Sequence, residues 1–393
     1  GITPRERERL LNDVRNYTRV SISEAASFQI DSDERTDCTK EANGIRTCTQ
    51  EQEYQNFANW YQYHRFRHLL AVGAVSEAFA RQVGSDVRVG YGRINKGSTS
   101  VDGRDTDVVE RGVRRFQGAD KDSFFNWLQR DVHPSGGTPL LGASISVGDY
   151  FSRDDMDGPW ADQGPDGRKR MLSCRRSYHI LMTDGQYNDL KTRKFEHHAG
   201  IANADGDKGP IIPASGRNAQ YQYLPSDARN KLYPSPARKT LADIAMYYWN
   251  RDLLPRLPNN VPVDGDSPSF WQNVTMYTLG FGVDGSLPAG TPEIQTRTLE
   301  RLASNELKWP ETINDDSPEV IDDLWHAAVN GHGRYVNVKN STGFLASMRK
   351  ILAEIVNRNG STAGVAVNSR ALQANNQKFV PSFMTRSQTG TLM

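Results

Sequence analysis

Three short apolar runs, each halted by turn residues and each separated from the next by helical patterns, constrain this chain more than any other feature. The first, SYHILMTDGQYND from Ser177 to Asp189, carries Ile180, Leu181 and Met182 and stops at Thr183, Asp184 and Gly185. The second is WQNVTMYTLGFGVDG, from Trp271, and the third RYVNVKN, from Arg334. Apolar runs of this length bounded by Gly and Asp read as buried strands. The segments PEIQTRTLERLAS, DDSPEVIDDLWHAAVNGHG and STGFLASMRKILAEIVNRNG have helical spacing; Ser317 and Pro318 mark one start and Gly331 its end. Strands alternating with helices need crossover connections, so the expected fold class is α/β, a mostly parallel sheet flanked by helices.

In such sheets ligands gather at the carboxyl ends of the strands, which draws attention to Asp184. A second loop fits the same place. Ser135-Gly136-Gly137-Thr138 precedes Pro139 and an apolar helical stretch, PLLGASISVGDYF. A threonine hydroxyl and an aspartate carboxylate are hard oxygen donors suited to Mg²⁺ or Mn²⁺. Each residue also has a plain structural reading. Thr138 before a proline is an ordinary helix cap, and Asp184 before a glycine is an ordinary turn former.

Upstream, Thr3 to Glu6 has the form of a capping box, predicting a helix from Pro4 to Asn16, and TRVSISEAASFQID alternates as a strand does. Cys38 and Cys48 flank TKEANGIRT, whose Asn43-Gly44 is a hairpin signal that brings the sulfurs within bonding range, so a Cys38–Cys48 disulfide is expected. That pairing favours an exported protein, and Cys174 is left as a buried thiol or the partner of something absent. From Glu53 onward Phe57, Trp60, Tyr61, Leu69, Val72, Val75 and Phe79 recur at helical spacing, predicting one long buried helix of about eight turns. DVRVGYGRIN and DTDVVERGVRRF read as strands and DKDSFFNWLQRDV as a helix. Residues 186–269, rich in Gly, Pro, Asn and Asp, read as an insertion interrupted by one helix, RKTLADIAMYYWNRDL.

Lys plus Arg is 48 against 47 for Asp plus Glu, so a net charge of +1 gives no electrostatic case for nucleic acid or an anionic membrane. No apolar run approaches the roughly 18–20 residues that a membrane span needs.

SGGTPL followed by ILMTDG resembles the second and third motifs of the metal-ion-dependent adhesion site of von Willebrand factor A domains. The phrases NFANWYQYHRFR, SGGTPL, ILMTDGQYN, TLADIAMYYWNRDL, LGFGVDG and DDLWHAAVNGHGRY, taken in order, resemble the PilY-type biogenesis factors and tip adhesins of type IV pili. The resemblance implies a von Willebrand A-like, Rossmann-like domain at 53–360, an N-terminal excursion at 1–52, and an extended tail at 361–393 that runs toward an absent C-terminal β-propeller. It implies that Thr138 and Asp184 hold Mg²⁺ or Mn²⁺, with Ser135, Gly136, Gly137, Thr183 and Gly185 shaping the metal loops. The first motif, Asp-x-Ser-x-Ser, is absent, as is a propeller-type calcium loop. The metal site is therefore expected to be incomplete in this chain, and the first central strand to be missing.

The function that follows is binding rather than catalysis. An exported pilus-tip adhesin and assembly factor, passing through the periplasm to the cell surface, would contact minor pilins and a host or abiotic surface. A metal-free structural or mechanosensory module is the alternative. A hydrolase is more distant, because Glu196-His197-His198 stands alone in a polar stretch and Cys174 and His179 show no triad arrangement.

Overall fold

The computed structural model describes residues 13–16, 20–31, 35–63, 67–132, 136–164, 166–188, 190–198, 200–263, 268–338 and 341–358, and four strands of the tail. Most of the helix expected over Pro4 to Asn16 lies outside them; its last residues, Val14–Asn16, form a 3-10 turn. The chain divides into two compact units, Gly1–Gly73 and Ala74–Met393.

The first unit is built on an antiparallel sheet ordered β1 (Ser27–Ile30), β3 (Arg46–Thr49), β2 (Thr39–Lys40). Gly44 takes φ +88° in the turn, and Asn43 Oδ1 accepts from the Ile45 N–H at 2.9 Å. That local chemistry brings Cys38 and Cys48 to a Cα separation of 4.7 Å, and they are disulfide-bonded. Cys48 is fully buried. Helix α1 (Gln50–Tyr63) follows at once, with Gln50 Nε2 donating to the Ile22 and Ala25 carbonyls.

Along the single long helix expected from Glu53, the described residues are helical as α1 and as α2 (Arg67–Gln82), and residues 64–66 between them lie outside the described residues. Val75 and Ala78 are buried, but Tyr54, Phe57, Trp60 and Tyr61 of α1 are each about half exposed. Periodicity fixes which residues share a helix face; it does not fix whether anything covers that face.

The second unit holds a parallel sheet ordered β10 (Ser177–Thr183), β11 (Val274–Phe281), β12 (His332–Val338). Its register runs from Ser177 opposite Val274 to Thr183 opposite Gly280. β11 is central and buried along nearly its whole length, which is why its sequence is mostly apolar rather than alternating with charged residues, and Thr275 and Thr278 are buried with the rest. Successive strand residues point to opposite faces. Tyr277 donates to Glu354 of α8 (Ser341–Arg358), and Thr278 donates to the Leu324 carbonyl of α7 (Glu319–Asn330). The two helices therefore cover opposite faces of the sheet. Helix α6 (Pro292–Ala303) has Thr291 at its cap and Pro at its first turn. Gly331 ends α7 as expected, but Pro318 rather than Ser317 stands at the start.

The other described strands pair antiparallel, so the parallel arrangement is confined to β10, β11 and β12. β4 (Arg88–Gly92) pairs with β7 (Val109–Arg115), β5 (Thr99–Val101) with β6 (Arg104–Thr106), and β8 (Ala161–Gln163) with β9 (Lys169–Met171). Among the described residues β10 pairs with β11 alone. Beside β4, Phe79, Tyr91, Phe116, Phe124 and Trp127 pack ring on ring, with helix α3 (Gly118–Arg130) supplying Phe124 and Trp127. In the tail, Ala366–Val367 pairs with Lys378–Phe379 and Pro381–Met384 with Thr389–Leu392.

Residues 186–269 are far from featureless. Ile212, Tyr223, Met246, Trp249, Phe270 and Trp271 form a second buried cluster around helix α5 (Leu241–Trp249). Thr240 and Asp243 close a capping box at its start. A buried carboxylate ties this segment to the sheet. Asp323 on α7 accepts from the Leu241 N–H (2.8 Å), the Ala242 N–H (3.0 Å) and the Tyr187 hydroxyl. Burial pushes the Asp323 carboxyl up to about 6 in spite of these bonds.

Candidate functional site

Where β10 ends, Thr183 Oγ1 donates to the Gly185 carbonyl (3.0 Å) and accepts from its N–H (3.4 Å). The bend turns the Thr183 side chain back onto the chain and leaves Asp184 exposed. The Gly136 to Thr138 loop meets the same strand end. The Thr138 N–H donates to Asn188 Oδ1 at 2.9 Å, and the Asn188 N–H donates to the Thr138 carbonyl at 3.2 Å. Gly136 takes φ +80°, and Asn95 Nδ2 donates to the Gly137 carbonyl. A Cβ at Gly137 would lie 2.9 Å from Asn188 Oδ1, so a side chain there would push the Asn188 amide away from the Thr138 N–H. Two residues 50 positions apart in sequence are thus stitched together four residues beyond Asp184.

A third loop joins them. Asn188 Nδ2 reaches Asp316 Oδ1 (3.3 Å), the Asp316 N–H donates to the Tyr187 carbonyl (3.1 Å), and the Leu190 N–H donates to Asp315 Oδ1 (3.1 Å). Asp316 has φ +55°, a left-handed conformation that Asp tolerates better than most residues. Asn95, Asn188, Asp315 and Asp316 were not singled out from sequence. Each is a polar loop residue without periodicity, and only the fold assigns it a partner.

Helix α4 runs Leu140–Phe151 with Pro139 at its N-cap and no side-chain cap. Thr138 is thus not the cap that its sequence position suggests, and its hydroxyl is not committed to that role. With the exposed carboxylate of Asp184 it offers donors of the right kind for a hard divalent cation, but two donors do not fill a coordination shell of six. Ser135 lies outside the described residues. Among the described residues the one grouping of three His, Cys, Asp or Glu at ligand spacing is Cys38, Cys48 and Glu53, and its sulfurs are consumed by the disulfide.

Glu196 and His197 are exposed on a short 3-10 turn, Arg193–His197, while Phe195 between its ends is buried. His198 Nε2 lies 3.2 Å from Asp149 Oδ2. Cys174 is exposed rather than buried. His179 is buried within β10, where loss of solvent pulls its pKa down to about 4 and holds the ring neutral. His326 stacks on Trp309 at 4.2 Å and His332 on Trp249 at 3.5 Å, and both are likewise held neutral by burial.

No family model matches the chain, and no solved structure does. Curated relatives do. The chain is 30% identical over 335 residues, 81% of its length, to the type IV pilus biogenesis factor PilY1 of Pseudomonas aeruginosa strain PAK. It is 29% identical over 379 residues, 90% of its length, to PilY1 of strain PAO1, and 30% identical over 337 residues to that of strain UCBPP-PA14. The chain spans about 27–31% of the length of these relatives. Among the described residues no helix is long and apolar enough to cross a membrane. It is to the type IV pilus biogenesis factors of the PilY type that this chain is related.

Proposed function

We propose that the chain is a binding module of the type IV pilus machinery, exported through the periplasm to the cell surface. There it engages minor pilins and presents the loops at the end of β10 to a host-cell or abiotic surface. The similarity to PilY1 factors over more than four fifths of the chain carries this reading. The joining of the Gly136 to Thr138 loop with the loop after Asp184 supports it, because ligand sites of parallel sheets lie at the strand ends where such loops meet. Its core is read as a von Willebrand A-like domain built on β10, β11 and β12. The Thr138 hydroxyl and Asp184 carboxylate hold Mg²⁺ or Mn²⁺, with water and further donors completing the shell. When bound, the ion supplies one exchangeable position that a ligand carboxylate takes.

Calorimetric titration with MgCl₂, and with MnCl₂, of the chain and of a longer form that carries an Asp-x-Ser-x-Ser strand tests the metal part, the longer form being the one expected to bind. The expected result is saturable binding that Asp184→Ala abolishes and Thr138→Ala weakens at least tenfold. Attachment of protein-coated beads to a surface, unchanged by EDTA and by both substitutions, would replace this reading with a metal-free structural or mechanosensory module. The shortage of protein donors is the observation that favours the latter.

A further inference from the structure

A second concentration of charge lies at the opposite end of β10. Arg175 stands two residues before that strand starts, whereas Asp184 follows its last residue, so seven strand residues, roughly 23 Å at about 3.3 Å each, separate them. Here four guanidiniums, Arg88 at the start of β4, Arg114 and Arg115 at the end of β7, and Arg175, share two carboxylates. Asp102 pairs with Arg114. Asp162 on β8 accepts from Arg115 Nη2 at 3.0 Å and from Arg175 Nη2 at 2.5 Å, both through the same oxygen, Oδ2.

Arg88 makes no hydrogen bond to a carboxylate among the described residues, although Asp162 is near enough to act on its charge. Its Nη1 and Nη2 donate to the Pro159 and Val113 carbonyls. Arg88 Nε and Arg175 Nη1 are shielded from solvent and meet no acceptor among the described residues. Burial and the neighbouring Arg175 charge hold the Arg88 pKa down to about 10, which still leaves it fully charged at neutral pH. A buried cation that cannot shed its proton is stabilised only by an anion, and a planar guanidinium is matched to oxyanions that accept two hydrogen bonds. Arg115 is half exposed, which gives a ligand a way in.

We infer that Arg88, Arg115 and Arg175 form an oxyanion site that takes a carboxylate or phosphate group, separate from the loops at the other end of β10. It stands whether or not the proposed metal site does. The carboxylate would belong to an acidic protein segment and the phosphate to a free or esterified anion.

Thermal unfolding of the chain in sodium phosphate, sodium acetate and sodium chloride of equal ionic strength tests the site. The expected result is a Tm rise of about 2–4 °C at ~50 mM of the fitting oxyanion over chloride, the size of shift that saturating a weak site gives. A response to acetate identifies a carboxylate site, and a response to phosphate alone a phosphate site. Arg88→Gln and Arg175→Gln should abolish the rise, while Arg256→Gln, which removes an exposed pair with Asp154, should keep it. In chloride, Arg88→Gln should keep or raise the parent Tm, because it removes an uncompensated charge. Equal behaviour of both oxyanions and chloride, or a rise that survives Arg88→Gln, would overturn the inference. So would a fall of several degrees for Arg88→Gln in chloride, which would make the arginine a structural donor to Pro159 and Val113.

Discussion

Replacing Asp323 by alanine removes a group that does three jobs at once. Its Oδ2 accepts from the Leu241 N–H and the Tyr187 hydroxyl, and its Oδ1 from the Ala242 N–H. The two amides open α5, where no preceding turn can accept from them. Hydrogen bonds to a charged acceptor contribute about 1.5–3 kcal/mol each, so three give roughly 4.5–9 kcal/mol gross. Against this stands the cost of keeping the carboxylate ionised in a fully buried place. The net rise to about 6, some two units above the ordinary aspartate value, already contains these bonds and leaves about 3 kcal/mol of burial cost unmet at neutral pH. Removing one partner from a buried ionic arrangement typically costs ~3–5 kcal/mol, because the groups left behind are buried without their acceptor. Asp323→Ala should therefore lower the urea unfolding free energy by about 3–5 kcal/mol at pH 7 with little change in m-value. Asp323→Asn, which keeps one acceptor but turns an N–H₂ toward a donor, should fall between. A loss below about 1 kcal/mol for the alanine variant would refute the claim that this carboxylate fastens α5 to α7.

Acid should act on two opposed sets of groups. His179, His326 and His332 are held neutral in the folded state, at about 4, 3 and 3, against about 6.5 unfolded, so the unfolded chain binds more protons between those limits and stability falls as pH drops. Asp323 and Asp243, raised by burial to about 6, bind protons in the folded state first, so over about pH 6 to 4 they favour folding as pH drops. Tm should change little between pH 6 and about 4.5 and fall steeply below about 4, and a steep monotonic loss starting at pH 6 would contradict this balance. Gly137→Ala should cost about 1–3 kcal/mol and weaken any Mg²⁺ response, read by chemical denaturation and calorimetry, because the added Cβ meets Asn188 Oδ1 at 2.9 Å. Reducing Cys38–Cys48, which closes a loop of sequence separation 10, should destabilise the first unit by about 2–3 kcal/mol, visible as earlier proteolysis within Gly1–Gly73.

The parallel sheet could be read from the sequence because β11 is buried on both faces and its residues record that as a mostly apolar run without a charge. The hairpin and its disulfide were legible because Asn-Gly is a local instruction, complete within a few residues. The aromatic face of α1 was misjudged: Phe57, Trp60 and Tyr61 obey helical spacing, but spacing carries no information about whether a partner surface exists. The second core of 186–269 was missed for the converse reason. Tyr223, Phe270 and Trp271 are drawn from loops with no period, and only the folded path brings them onto Trp249. At the candidate site the loops carrying Thr138 and Asp184 were found, yet the residue that joins them, Asn188, was not. The arginine cluster likewise collects side chains from positions 88 to 175, none of them remarkable in isolation.

Tyr187 and Leu241 are 54 positions apart, yet both donate to the same oxygen of the Asp323 carboxylate. The lobe between them is fastened at further points as well, through Leu232 to Trp309, Tyr233 to His326 and Asp205 to Asn330. The entropy of closing such a lobe rises by just about 0.6 kcal/mol per doubling of its length. The exposed turns between those points can therefore be lengthened, shortened or exchanged at small cost to the sheet, provided that the tyrosine, the helix start, Asp323 and these further contacts remain. Surface recognition can be rewritten inside the lobe while the strands that present it stay the same.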